Sequence, residues 1–187
     1  MTTTHLGPTP FALMSAERAE TLTTFDQFLA TAVEYADLWS LTARRAVVPD
    51  HLLPRAQAVR SELHLVTLLA DWCVDAVSTV PYLVRLVEAM PNATMRCIER
   101  DQHLDLMDAH LTGTSRSIPV VIVFDADYRE LGWWGPRPAE LQEWSLTNHQ
   151  LPKEERNRYR RTWYARDKGV TTLDEVLTLI ERATAPR

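Results

Sequence analysis

Cysteine is scarce in this chain: of 187 residues, only Cys73 and Cys97 carry a thiol. Two thiols do not make the disulfide framework that staples small secreted folds, so a reducing, cytoplasmic setting is expected. Long apolar runs are missing too. No stretch approaches the roughly 20 apolar residues a membrane helix needs, and no membrane partner is expected. The opening Met1-Thr2-Thr3-Thr4-His5-Leu6-Gly7-Pro8 has neither a positive n-region nor an apolar h-region, so no signal peptide is read there. Positive charge is not in excess either. The net charge of −5 speaks against nonspecific nucleic-acid binding. There is no internal repeat, low-complexity tract or linker between independent domains. Metal-ligand spacing is also absent. His103 and His110 stand near Asp108 but read as solvated or capping side chains. Neither a metal nor an organic cofactor is expected.

What is present suffices for one domain with a full hydrophobic core. Residues 1–23 read as loosely ordered and 24–187 as a single domain. Within that domain, 24–60 is a helical extension, 61–135 the core and 138–184 a set of C-terminal helices. Thr24 and Gln27 fit a capping box ahead of a helix over 25–46. Asp50 is placed to cap a second, short helix through Arg60. Leu63–Ala70 is nearly continuously apolar, as in a strand covered on both faces. Val77, Val80, Val84 and Val87 mark a helix over 75–90, with Pro81 inside it as an expected kink. A strand over 93–99 and a short helix around Leu104, Met107 and Leu111 come next. Ile118–Phe124 is a third strand, and 129–134 its antiparallel partner. Gly135-Pro136-Arg137-Pro138 is a rigid corner. Helices follow at about 138–148, 153–167 and 172–183, the last with Thr172 and Glu175 as a capping box. This order implies a mixed α/β fold with at least four strands.

The candidate chemistry centres on Asp71-Trp72-Cys73-Val74-Asp75-Ala76. Cys73 stands where a strand hands over to a helix. The first helical N–H groups favour its anion there, so its pKa is expected below the free value of about 8.5. The competing reading is a small buried apolar residue. Asp75, in the first helical turn, favours the helix but opposes a nearby thiolate. It is equally suited to capping backbone N–H groups or to accepting a proton. A second sulfur of the C-x-x-C kind would stand at residue 76, where this chain has a methyl group. Cys97, in mid-strand, reads as a core residue, too far back along its neighbour to bridge Cys73. Arg156, Arg158, Arg160, Arg161 and Arg166, with Glu154 and Glu155 beside them, read as a solvated helix face or partner surface.

The element order resembles the thioredoxin fold, with cysteine after the first core strand and proline opening the third. Trp72-Cys73 resembles the Trp-Cys entry of thioredoxin active sites, and Pro81 stands where thioredoxins place a helix proline. Ser117-Ile118-Pro119 resembles the segment before their cis-proline, and Gly132 stands near the end of the hairpin, as is common there. The match extends to a bacterial branch of thioredoxin-like proteins with an N-terminal helical extension and a W-C-x-D-A site. It is carried by Asp71-Trp72-Cys73-x-Asp75-Ala76, Arg100-Asp101, Leu106-Met107-Asp108, Gly113-x-x-Arg116-Ser117-Ile118-Pro119, Trp134-Gly135-Pro136-Arg137-Pro138 and Trp163-Tyr164-x-x-Asp167. The resemblance implies a thioredoxin-like fold with extra helices at both ends. It also implies a cis Pro119 that exposes the Ile118 backbone beside the sulfur for an extended ligand. Arg116 on the same loop is expected to stabilise a thiolate or a ligand carboxylate, or to be solvated. Trp72, Trp133 and Trp134 are candidates for a groove, with at least one of them in the core. The chain departs from the family pattern at Ala76, which removes the resolving thiol, and at Val74, which reshapes the site beside the sulfur.

The functional expectation is a monothiol protein. Cys73 would exchange with a protein or small-molecule disulfide, and an external low-molecular-weight thiol would resolve the intermediate. Oxidation of Cys73 to a sulfenic acid is a further possibility. The alternatives are a non-catalytic binding module that keeps the groove, and a monothiol iron–sulfur carrier, whose usual motif the surroundings do not resemble.

Overall fold

A computed structural model describes residues 3–7 and 13–185. Its elements follow the chain as β1 (Thr4–Leu6), α1 (Ala16–Glu20), α2 (Phe25–Thr31), α3 (Ala36–Arg45), α4 (Leu53–Ala58), β2 (Leu63–Leu69), α5 (Val74–Ala89) and β3 (Ala93–Glu99). After a 3-10 turn come α6 (Leu104–Ala109), β4 (Val120–Phe124), β5 (Glu130–Trp134), α7 (Ala139–Thr147), α8 (Lys153–Asp167) and α9 (Val170–Thr184). The sheet order is β1-β5-β4-β2-β3. β2 and β3 run parallel through the α5 crossover, and every other pairing is antiparallel. This mixed sheet flanked by helices is a thioredoxin-like architecture with added helices.

The continuous apolar runs of β2 and β4 have a simple cause. Side chains alternate across a strand, and here both faces of the sheet are covered. Val66, Leu68, Val120, Ile122 and Phe124 enter one core with Phe25, Phe28, Trp39 and Cys97. Leu63, Leu65, Val121 and Val123 enter the other, with Trp134 and the α9 residues Leu173, Val176, Leu177 and Ile180. α5 runs unbroken from Val74 to Ala89 with Pro81 inside it.

Several local readings change. Thr4–Leu6 and Ala16–Glu20 are ordered elements within the stretch read as loose, while residues 1–2 and 8–12 lie outside the described residues. The helix read over 25–46 is two helices. The break is anchored by Asp71, whose Oδ2 accepts the backbone N–H groups of Val33 and Glu34, both at 2.9 Å. Tyr35 then starts α3 from a left-handed conformation at φ 54°. α4 begins after Leu52, with no side-chain cap there, so Asp50 does not cap it. Pro54 is accommodated in its first turn, where its missing N–H costs nothing. α9 begins after Gly169, not at Thr172, which is fully buried.

Glu175 of α9 therefore has a different task from capping. Its Oε2 accepts Thr3 Oγ1–H at 3.2 Å and Trp134 Nε1–H at 2.7 Å, while Oε1 accepts the Ala139 N–H at 2.8 Å. No helix among the described residues is long and apolar enough to cross a membrane.

Candidate functional site

β2 delivers the chain to a tight turn in which the Cys73 N–H bonds the Ala70 carbonyl at 3.1 Å. Cys73 is the N-cap of α5, with extended backbone. Its Sγ accepts the Ala76 N–H and donates to the Ile118 carbonyl, each at 3.4 Å. Ile118 precedes Pro119 through a cis peptide bond. The structure thus brings Cys73, Ala76, Ile118 and Pro119 together.

The charge state of the sulfur is the reverse of the expectation. Cys73 is only 7% exposed. Burial first, and the Asp75 carboxylate second, push its thiol up to about 12, against the downward pull of the Ala76 and Asp75 N–H groups. Two helix-end amides do not offset desolvation together with a neighbouring anion. The resting sulfur is a neutral thiol at physiological pH. Cys97 is fully buried opposite Thr67 in β2, and burial also pushes its thiol up to about 12. Both cysteines are free.

Asp75 neither caps the helix nor stands open to solvent. It is 2% exposed and forms the hub of a buried network. Its Oδ2 receives Arg137 Nε at 2.8 Å and Arg160 Nη1 at 2.9 Å, and its Oδ1 receives the Tyr164 hydroxyl at 3.0 Å. Burial, then the adjacent carboxylate, hold the Tyr164 hydroxyl well above its usual range, so it serves as a donor. Arg160 is accordingly not part of a solvated face; its side chain is 13% exposed. Arg137 is set by the corner before it. A Cβ on Gly135 would lie 2.3 Å from the Pro119 carbonyl oxygen, so only glycine lets this corner press against the Pro119 loop. Val74 and Ala76, the residues flanking Asp75, are buried in the first turn of α5.

The sulfur lies at the floor of a cleft of about 250 Å³. Trp72, 46% exposed, and Tyr35 stand on its walls. The Arg100 guanidinium lies over the Trp72 ring, 4.9 Å from its centroid, and donates to the Arg116 carbonyl at 3.3 Å. Arg116 lines the cleft, but its guanidinium is held by Asp108 in a two-pronged pair at 2.6 and 2.8 Å rather than by the sulfur. Arg137, Lys153 and Arg160 complete a basic lining in which Asp75 is the one carboxylate.

Trp134 does not shape this cleft. It is fully buried in the core on the α9 side, tied to Glu175. Trp133 faces the opposite core and stacks on His5 at 3.8 Å between centroids. Of the three tryptophans only Trp72 lines the cleft. His110 is not solvated. It is fully buried, its Nδ1 2.6 Å from the Leu106 carbonyl oxygen and its Nε2 3.2 Å from Glu130 Oε1. His103 lies against the Arg18 guanidinium at 3.0 Å. Among the described residues no cluster of three His, Cys, Asp or Glu side chains could hold a metal ion.

Sequence reasoning missed Tyr35, Arg100, Arg137, Arg160 and Tyr164 as site residues. Arg100, Arg137 and Tyr164 stand in the blocks on which the resemblance was read, which was the available signal. Nothing local marks Tyr35 or Arg160.

Comparison with known proteins agrees with this fold. A family model described as Thioredoxin matches residues 22–155, well over half of the chain. No curated protein sequence matches. Among solved structures, a protein of unknown function from Pseudomonas aeruginosa superposes with a TM-score of 0.72 at 19% identity, covering 91% of this chain and 99% of that one. An HIV epitope scaffold superposes with a TM-score of 0.70 at 18% identity, covering 90% and 99%. At these identities the two structures speak for the fold alone.

Proposed function

The chain belongs to the thioredoxin family, and from that premise we propose that it is a thiol-based redox protein with Cys73 as its single reacting sulfur. The observation that carries this reading is the position of Sγ, held between the Ala76 amide and the Ile118 carbonyl at the floor of an open cleft. A disulfide R–S–S–R′ entering the cleft meets the Cys73 side chain. Cys73 loses its proton to solvent, and its thiolate attacks one sulfur of the substrate. The Cys73–S–R bond forms, the S–S bond breaks and R′S⁻ leaves. With Ala76 in place of a second thiol, an external thiol R″SH completes the cycle. It attacks as its thiolate, releases Cys73 and departs as R–S–S–R″. The neutral resting thiol makes the first step slow near neutral pH and faster as pH rises.

A second reading, a non-catalytic binding module, is favoured by that same raised thiol. Here the cleft captures its ligand without a bond to sulfur. Intact-mass spectrometry after incubation with a small disulfide separates the two. A mixed disulfide at Cys73, lost on adding excess thiol and absent from Cys73→Ser, is the expected result. A protein that still binds the disulfide but never gains its mass would establish the binding module instead.

A further inference from the structure

We infer that a second depression, beside the cysteine cleft, is a binding pocket for an oxyanion group of the phosphate or sulfate class. It has a volume of about 210 Å³. Its walls come from the loop after α6, from α7 and from α8, with Gln142, Ser145, His149 and Arg156 joined by Arg137 and Arg160. Among the described residues no Asp or Glu lines it.

Two independent observations point to an anion. The first is unmet hydrogen bonding. Buried polar atoms nearly always have partners, because an unmet one has given up its hydration for nothing. Five buried side-chain polar atoms of the described residues have none, and three of them, Thr112 Oγ1, Ser145 Oγ and Arg156 Nε, belong to residues of this one pocket. Two hydroxyls and a guanidine N–H on residues lining one small space are donors of the kind an oxygen-rich anion accepts. The second is charge. Arg137 and Arg160 share the single carboxylate of Asp75, and Arg156 makes no ion pair among the described residues. The pocket thus concentrates uncompensated positive charge in a chain whose net charge is −5. Guanidinium forks match a tetrahedral oxyanion in geometry as well as sign.

Ser117, Arg137 and Arg160 line both this pocket and the cysteine cleft. An anion bound here stands next to whatever occupies the space over Cys73. The pocket itself does not depend on sulfur chemistry.

Isothermal titration calorimetry with inorganic phosphate, inorganic sulfate and an aliphatic phosphomonoester, at low ionic strength and with chloride as control, tests the proposal. Phosphate or sulfate is expected to bind once per chain with a Kd below about 1 mM. Arg156→Gln and Ser145→Ala remove donors that hold no other part of the fold, so circular dichroism should be unchanged. Together they should weaken binding about tenfold or more, while Arg161→Gln, on the exposed side of α8, should not. Tighter binding of the phosphomonoester identifies a headgroup on a larger molecule, and equal binding identifies the free ion; either supports the pocket. Cys73→Ser should bind the anion like the parent, which separates this pocket from the redox reading. Heats no greater than those from chloride, or undiminished binding by the double variant, would overturn it.

Discussion

The Asp75 carboxylate and the Arg160 guanidinium, 85 positions apart in sequence, meet at 2.9 Å beneath the cysteine cleft. One carboxylate here serves two arginines and a tyrosine, and it also raises the neighbouring thiol. Asp75→Asn should therefore have two effects of opposite appearance. Stability should fall by about 3–5 kcal/mol, because two buried cations lose their counter-charge. Alkylation of Cys73 in the folded protein should become faster, because a charge that disfavours the thiolate is gone. Urea titration reads the first and iodoacetamide kinetics well below the unfolding midpoint the second. Tyr164→Phe, which removes a hydrogen bond but no charge, should cost less, about 1.5–3 kcal/mol. Slower alkylation in Asp75→Asn would refute the electrostatic role given to this carboxylate.

The neutral thiol sets a pH profile. Only the thiolate alkylates, and the Cys73 thiol is pushed up to about 12. Its alkylation rate should therefore climb about tenfold per pH unit, with no plateau between about pH 7 and about pH 10. A plateau near neutrality would mean a preformed thiolate. Stability should move the other way. Both thiols hold their protons longer folded, at about 12, than the ordinary value of 9.0. The unfolded chain thus loses protons first as pH rises. The stability contributed by these two protonated groups is complete below 9.0 and is lost as pH climbs towards about 12, a trend that Cys97→Ala should reduce.

Ala76 is the one position that separates this site from a dithiol. Its N–H already touches the Cys73 sulfur, and residues three apart in a helix bring their Cβ atoms within about 5–6 Å. Ala76→Cys should close an intramolecular disulfide under mild oxidant. Thiol titration should then find Cys97 alone, released only by denaturant. Retention of all three thiols would show that the first turn of α5 cannot adopt disulfide geometry.

Asp71 braces the break between α2 and α3. Asp71→Ala leaves the Val33 and Glu34 amides without their acceptor and should cost about 1–3 kcal/mol. Hydrogen exchange at residues 33–35 should accelerate while the β2 and β4 amides stay protected. Uniform acceleration across the molecule would contradict a local brace.

The parts legible in the sequence were those written in local patterns. The apolar runs gave β2 and β4, the valine spacing gave α5, and the Thr24 capping box appears as drawn, with Gln27 returning the bond. Cys73 at the N-terminus of α5, facing Ile118, was legible from order and motif together. Its protonation was not, because desolvation depends on what covers the sulfur from distant segments. Nor was the fate of Trp133 and Trp134. Adjacent strand residues point to opposite faces, and in a sheet buried on both sides the pattern does not say which face meets the groove. The helix over 25–46 failed for a similar reason. Its periodicity is real, but Asp71, remote in sequence, takes two amides the continuous helix would have used.

Glu175 gathers Thr3, Trp134 and Ala139 onto a single carboxylate. Thr3 thus finds its partner 172 positions further along the sequence. During synthesis that clasp stays open until α9 has emerged, so β1 must wait for a residue made much later before its Thr3 hydroxyl finds this carboxylate.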